Sequence, residues 1–258
     1  MIGAIAGDII GSVHEGAGTK TKEFPLFDEY SRFTDDTVLT LAVASGLLTG
    51  RSYVDLFHEF FDAYPHAGYG GSFIRWAGRR VREPYNSWGN GSAMRVSPIG
   101  FAFDSLDEVM MEARMTAEVT HNHPEGIRGA QATAAAIYLA RRGAEKSEIR
   151  EHVEREFGYV LSGRLDDLRA EYEFDVSCQG SVPQSIIAFL ESTSYEDAVR
   201  NAISLGGDAD TMACIAGGIA YAYYGTIPDH IKSQTLQRLD TRLRAIVEEF
   251  DAKYGIGC

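Results

Sequence analysis

Apolar residues in this 258-residue chain recur at the spacing of a helix face, and no six-residue stretch alternates apolar and polar in the manner of a strand. That contrast restricts the chain to an all-α architecture, one compact domain over residues 1–258. Helix-start chemistry supports the same expectation. Ser52-Tyr53-Val54-Asp55 precedes Leu56, Phe57, Phe60 and Phe61 on one face, and Ser105 with Glu108 has the spacing of a capping box. Pro124 and Glu125 open a segment that closes on Arg141, Arg142 and Gly143. Ser181-Val182-Pro183-Gln184 reads as the start of the run Ile186, Ile187, Phe189 and Leu190, and Ser194 as the cap of the next helix. Residues 209–224 form an apolar helix holding Gly217-Gly218, which permits close helix contact. Leu236, Leu239, Leu243, Ile246, Val247 and Phe250 predict one long C-terminal helix. Asn90-Gly91 is flanked by loop-like residues and predicts no hairpin.

The net charge of −13 and the absence of a basic patch argue against a nucleic-acid backbone as partner. Arg79, Arg80 and Arg82 are the densest basic cluster, and Glu83 follows them. Cys178, Cys214 and Cys258 are odd in number and far apart, which points to a reducing compartment rather than a thiolate metal site. The apolar N-terminus lacks a basic leader and is broken by Asp8, so it reads as a first helix and not a signal peptide. No run approaches the ~18 apolar residues of a membrane span. A cytoplasmic protein without membrane contact is expected.

Two acidic segments carry the chemistry. Thr34-Asp35-Asp36-Thr37 and Asp208-Ala209-Asp210-Thr211 each place two acids and threonine at the start of an apolar helix. Capping explains one acid in each, because it satisfies free N–H groups and complements the helix dipole. The second acid is costly to bury unless a cation neutralises it. Oxygen-only ligands suit a hard divalent ion such as Mg²⁺ or Mn²⁺, and four carboxylates suit two ions about 3.5–4 Å apart. Both readings stand at this level. His121-Asn122-His123 is open in three ways: half of a zinc site, a helix-capping loop, or a loop that touches a ligand. Glu15 taken alone is an ordinary surface acid. No P-loop, Rossmann or nucleophile-elbow motif is present.

In their order, Gly3-Ala4-Ile5-Ala6-Gly7-Asp8, Phe33-Thr34-Asp35-Asp36-Thr37, Gly89-Asn90-Gly91-Ser92-Ala93-Met94-Arg95, Thr120-His121-Asn122-His123-Pro124 and Gly206-Gly207-Asp208-Ala209-Asp210-Thr211 resemble the ADP-ribosylglycohydrolase family. The resemblance runs to about Gly225. It implies an all-α fold with a centre of two Mg²⁺ or Mn²⁺ ions held by Thr34, Asp35, Asp36, Asp208, Asp210 and Thr211. It implies a mobile Glu15 near the ions, a diphosphate loop at Gly70 and Gly71, and a phosphate and ribose loop at Ser87, Trp88, Gly89, Asn90 and Gly91. There, backbone N–H groups exposed by glycine would meet an anion, and His121 would touch the ligand.

The implied activity is hydrolysis of the bond between ADP-ribose and an acceptor. The acceptor is a modified protein side chain, arginine by preference, or a small conjugate. Catalysis would fall to Glu15 with Asp35 and Asp36, in a chain favoured as a monomer. The alternatives are an inactive ADP-ribose-binding or crystallin-like protein, and a zinc hydrolase built on His121 and His123. Two departures stand out: the chain is shorter than many members, and His14 stands where Tyr or Phe is expected.

Overall fold

The computed structural model describes residues 1–254; Cys258 lies outside them. Among the described residues there are fifteen helices and no strand, and a single isolated bridge joins Gly89 to Ser177. In chain order the helices are α1 (Ile2–Gly11), α2 (Asp35–Thr49), α3 (Tyr53–Ala63), α4 (Gly71–Gly78), α5 (Gly91–Met94), α6 (Ser97–Ala102), α7 (Leu106–Glu118), α8 (Pro124–Arg141), α9 (Lys146–Phe157), α10 (Leu165–Glu171), α11 (Cys178–Leu190), α12 (Tyr195–Ile203), α13 (Ala209–Tyr224), α14 (Asp229–Arg238) and α15 (Thr241–Tyr254). The all-α expectation holds.

The centre of the molecule is the pair α1 and α13. Every residue of α1 is buried. Gly3, Gly7 and Gly11 recur every fourth residue, so they form one stripe on α1. A Cβ on Gly7 would lie 2.1 Å from the Ala213 carbonyl oxygen, and one on Gly11 would lie 2.6 Å from that of Ala209. From the other side, a Cβ on Gly217 would lie 2.5 Å from the Gly3 carbonyl oxygen. The two backbones therefore touch, as the Gly217-Gly218 pair suggests. α8, α11 and α12 pack around α13, while α2 packs on α3, α6 and α15.

Four local expectations differ from the structure. Ser105 makes no side-chain cap bond, so the capping box at α7 does not form, and Ser52 makes none either. α11 begins at Cys178, capped by the Ser177 hydroxyl, which accepts from Gly180 N. Ser181 and Pro183 therefore lie inside the helix. The C-terminal periodicity conceals a break: Asp240 Oδ1 accepts from Leu243 N and starts α15 afresh after α14 has ended at Arg238. Ser194 does cap α12, and α8 and α13 match their expected spans.

Candidate active site

Asp8 is the hub of the site, although in the sequence it stands only as a break in an apolar helix and the last residue of the first motif. It is wholly buried in α1 and accepts four hydrogen bonds. Thr34 donates from N (3.0 Å) and Oγ1 (2.6 Å), and Thr37 donates from N (3.1 Å) and Oγ1. Both oxygens are thus engaged, and the carboxylate braces the start of α2 against α1.

Hydrogen bonds separate capping from ligation acid by acid. At α2 the cap is Thr34, whose Oγ1 accepts from Asp36 N, so neither acid there is needed as a cap. At α13 Asp208 occupies the cap position and makes no cap bond. Its Oδ2 instead accepts from Asn90 Nδ2 at 2.8 Å. Asp210 Oδ1 accepts from Thr211 N. The Thr211 hydroxyl donates to Asp36 Oδ2 at 3.2 Å, which joins the two helix starts. Asp36 Oδ1 is buried with no hydrogen-bond partner.

Two groups of acids bring carboxylate oxygens within 4.8 Å of one another: Asp8 with Asp36 and Asp210, and Glu15 with Asp208 and Asp210. No cationic side chain pairs with any of them among the described residues. Burial, with the neighbouring carboxylates, pushes the pKa of Asp35 up to about 8 and those of Asp36 and Asp210 well above the usual carboxylate range. Asp8 and Asp208 are raised chiefly by burial, and Glu15 by burial and then by Asp208. An orphaned buried oxygen among crowded, oxygen-only acids fits two hard divalent cations. Asp8, with its oxygens engaged, fits a brace better than a ligand.

Apart from Asp8, these acids line a cleft of about 340 Å³. Glu15, Thr34, Asp35, Asp36, Gly70, Gly71, Ser87, Gly89, Asn90, Gly91, His121, Asp208, Asp210 and Thr211 all line it. Trp88 does not: its side chain is 50% exposed, and only its carbonyl is anchored, by Cys178 N. In the loop at 87–91, part of the backbone is turned inward. Gly89 N donates to Ser87 Oγ and Asn90 N donates to the Val176 carbonyl, so both are engaged internally.

His123 accepts from Glu125 N and caps α8, while the His121 ring lies against Gly91 of the loop. The two histidines do different work, and neither joins a ligand cluster among the described residues, which counts against the zinc reading. His14 packs on Phe24 with ring centroids 4.5 Å apart, beside Glu15. Burial pushes the Cys178 thiol up to about 12, so it is no thiolate nucleophile. The sequence reading also missed Arg95, a fully buried arginine on the cleft wall.

An all-α fold with two acidic helix starts facing a ligand-sized cleft is the architecture of an enzyme active site with candidate metal-binding acids. The comparisons agree. The ADP-ribosylglycohydrolase family model matches residues 1–255. ADP-ribosylhydrolase ARH3 of Bos taurus is 30% identical over 305 residues, covering 87% of this chain and 84% of that one. ADP-ribosylarginine hydrolase Tri1 of Pseudomonas putida is 27% identical, covering 85% and 69%. A solved structure titled ADP-ribosylglycohydrolase-related protein complex superposes with a TM-score of 0.68 at 25% identity, covering 98% and 97%. The chain belongs to the ADP-ribosylglycohydrolase family and is an enzyme of that type.

Proposed function

We propose that this protein hydrolyses the glycosidic bond between ADP-ribose and a protein side chain, with arginine as the acceptor. One observation carries the reading: the helix starts at 35–36 and 208–211 meet through Thr211 and Asp36, with Asp36 Oδ1 left without a partner. Thr34, Asp35, Asp36, Asp208, Asp210 and Thr211 would hold two Mg²⁺ or Mn²⁺ ions. Bound there, the ions would supply Lewis-acid polarisation and an anchor for the cis-diol of the ribose. Gly70, Gly71 and the loop at 87–91 would orient the diphosphate.

Glu15, exposed at the cleft mouth, would take the proton of the attacking water as the bond at the anomeric carbon breaks through an oxocarbenium-like state. The departing guanidine keeps the bonding electrons and takes up the proton that Glu15 passes on. Support for arginine comes from the relative named as an ADP-ribosylarginine hydrolase and from the acidic approach, since carboxylates favour a cationic acceptor. Without membrane-length apolar helices among the described residues and with the charge of −13, we propose a cytoplasmic protein that acts on modified proteins as a monomer.

The test is a panel of ADP-ribosyl-arginine, ADP-ribosyl-serine, poly(ADP-ribose) and O-acetyl-ADP-ribose, each with Mg²⁺ and with EDTA. Release of ADP-ribose from the arginine substrate, lost in EDTA, is expected. No release from any of the four overturns the reading. Release from serine alone moves the acceptor.

A further inference from the structure

A chain of hydrogen bonds runs from a buried cation to the cleft. The Arg95 guanidinium lies 4.5 Å over the Phe57 ring, makes no ion pair among the described residues, and donates from Nη2 to the Thr116 carbonyl and, at 2.9 Å, to Thr120 Oγ1. Thr120 Oγ1 in turn lies 2.7 Å from His121 Nδ1. An arginine only donates, so Thr120 Oγ1 accepts from Arg95 and keeps its own hydrogen to give. Nδ1 is its hydrogen-bond partner. A ring nitrogen that accepts carries no proton, so in a neutral imidazole the proton resides on Nε2. Burial and then the Arg95 charge disfavour the imidazolium, which keeps the ring neutral. Nε2 faces the loop: Cβ atoms on Gly91 and Gly89 would lie 3.2 and 3.8 Å from it. That loop has two of its own N–H groups engaged elsewhere, so a side-chain donor adds to the few backbone donors left for an anion placed there.

We propose that Arg95 and Thr120 are positioning residues that fix His121 as the Nε2–H tautomer, which presents a donor to a diphosphate oxygen of ADP-ribose over the loop at 89–91. The ligand half of this proposal rests on the functional reading above; the tautomer half rests on the hydrogen-bond chain alone. Gly91 has a direct part, because a methyl group there would crowd the nitrogen that donates. The competing arrangement turns the Thr120 hydrogen to the neighbouring Tyr85 phenol and leaves the proton on Nδ1, which would present only an acceptor to the anion.

The experiment pairs nitrogen-15 NMR of the histidine rings with calorimetric titration of ADP-ribose. In the wild-type protein His121 Nδ1 is expected to resonate as a pyridine-type nitrogen and Nε2 as a pyrrole-type one; the reverse assignment overturns the proposal. Thr120→Val removes the hydroxyl at nearly constant shape. It is expected to mix the tautomers and to weaken ADP-ribose about tenfold (~1.4 kcal/mol), raising KM while kcat stays near wild type. Thr120→Ser restores both readouts. His121→Gln, whose amide nitrogen reaches the Nε2 position, is expected to bind more tightly than His121→Asn, which reaches only Nδ1.

Equal losses in those two variants, or no rescue by serine, overturn the assignment of the donor. Arg95→Met is expected to mix the tautomers as Thr120→Val does, with a melting curve to verify the fold. An unchanged tautomer in that variant removes Arg95 from the relay. If the wild type shows the Nε2–H tautomer yet takes up no ADP-ribose, the ligand half falls together with the functional reading while the tautomer half stands.

Discussion

Asp35→Asn separates the metal reading from every structural reading of the acids, because its effect should change sign with the ion. Asp35 makes no side-chain hydrogen bond to another residue, and its carboxyl is held up to about 8 by burial and by Asp8 and Asp208. An acid whose pKa is higher in the folded than in the unfolded state contributes fully below its unfolded value, and that contribution is lost as pH rises through the folded value. For Asp35 the window runs from the ordinary 3.8 to about 8. At ~1.36 kcal/mol per unit, the penalty at pH 7 is at most ~4 kcal/mol. Solvent at the cleft mouth screens this to about 2 kcal/mol.

Without metal, the neutral Asn should therefore raise the melting temperature by ~4–8 °C at pH 7. The gain should grow towards pH 8 and vanish near pH 4. With Mg²⁺ at a hundred times its Kd, the wild type should gain ~2.7 kcal/mol that the variant largely forgoes. The order of stability then reverses. The assay is differential scanning calorimetry of both proteins in EDTA and in Mg²⁺ across pH 5–8. Groups distant from the cleft titrate alike in the two proteins and cancel. A variant less stable than wild type in EDTA at pH 7, or a wild type that gains nothing from Mg²⁺ or Mn²⁺, would refute the argument.

Three further outcomes follow from the geometry. Gly7→Ala forces a methyl group to within 2.1 Å of the Ala213 carbonyl oxygen and should cost ~3 kcal/mol; an unchanged urea midpoint would show that α1 shifts freely. Asp8→Asn leaves one acceptor oxygen for four donors, so it should cut kcat at least a hundredfold and weaken Mg²⁺, read by turnover and metal titration; near-normal values would remove the brace. Glu15→Gln should keep ADP-ribose affinity and lose rate. If Glu15 is the base, the acidic limb of wild-type kcat lies above the ordinary carboxylate range, because its pKa is raised, and activity falls as pH drops through it; a variant that keeps that limb assigns it elsewhere.

How much of this was legible in the residues depends on distance along the chain. α8 and α13 were readable because their signals are local: a proline or acid at the start, a glycine at the end, and apolar residues between. The break between α14 and α15 was not, since Leu239 keeps the apolar rhythm through it and Asp240 caps only because the chain turns there. Pro183 misled for the converse reason: it resembles a first-turn proline but stands within α11. Both acidic tips were readable, but their meeting was not, because nothing local ties position 36 to position 211. Two further signals lie in the sequence. A lone acid inside an apolar helix must find donors, which points to Asp8. A glycine every fourth residue invites a helix at backbone contact, which points to α13 as the neighbour of α1. Arg95 closes the motif that begins at Gly89, but nothing local shows its role, because its burial is a product of packing.

The glycine stripe and the acids belong to one argument. Backbone contact between α1 and α13 sets the distance from Asp8 to Asp210, since both acids project from that pair. Asp8 then holds α2 by its two threonines, and Thr211 of α13 ties back to Asp36 of α2. The triangle is closed by neutral donors alone, so it adds no positive charge to offset the carboxylates it assembles. An arginine or lysine in the same place would have satisfied the acids and left no electrostatic need for an ion. The hydroxyl ties therefore do two things together: they fix the geometry of the acids and they preserve the uncompensated negative charge that would draw in a divalent cation.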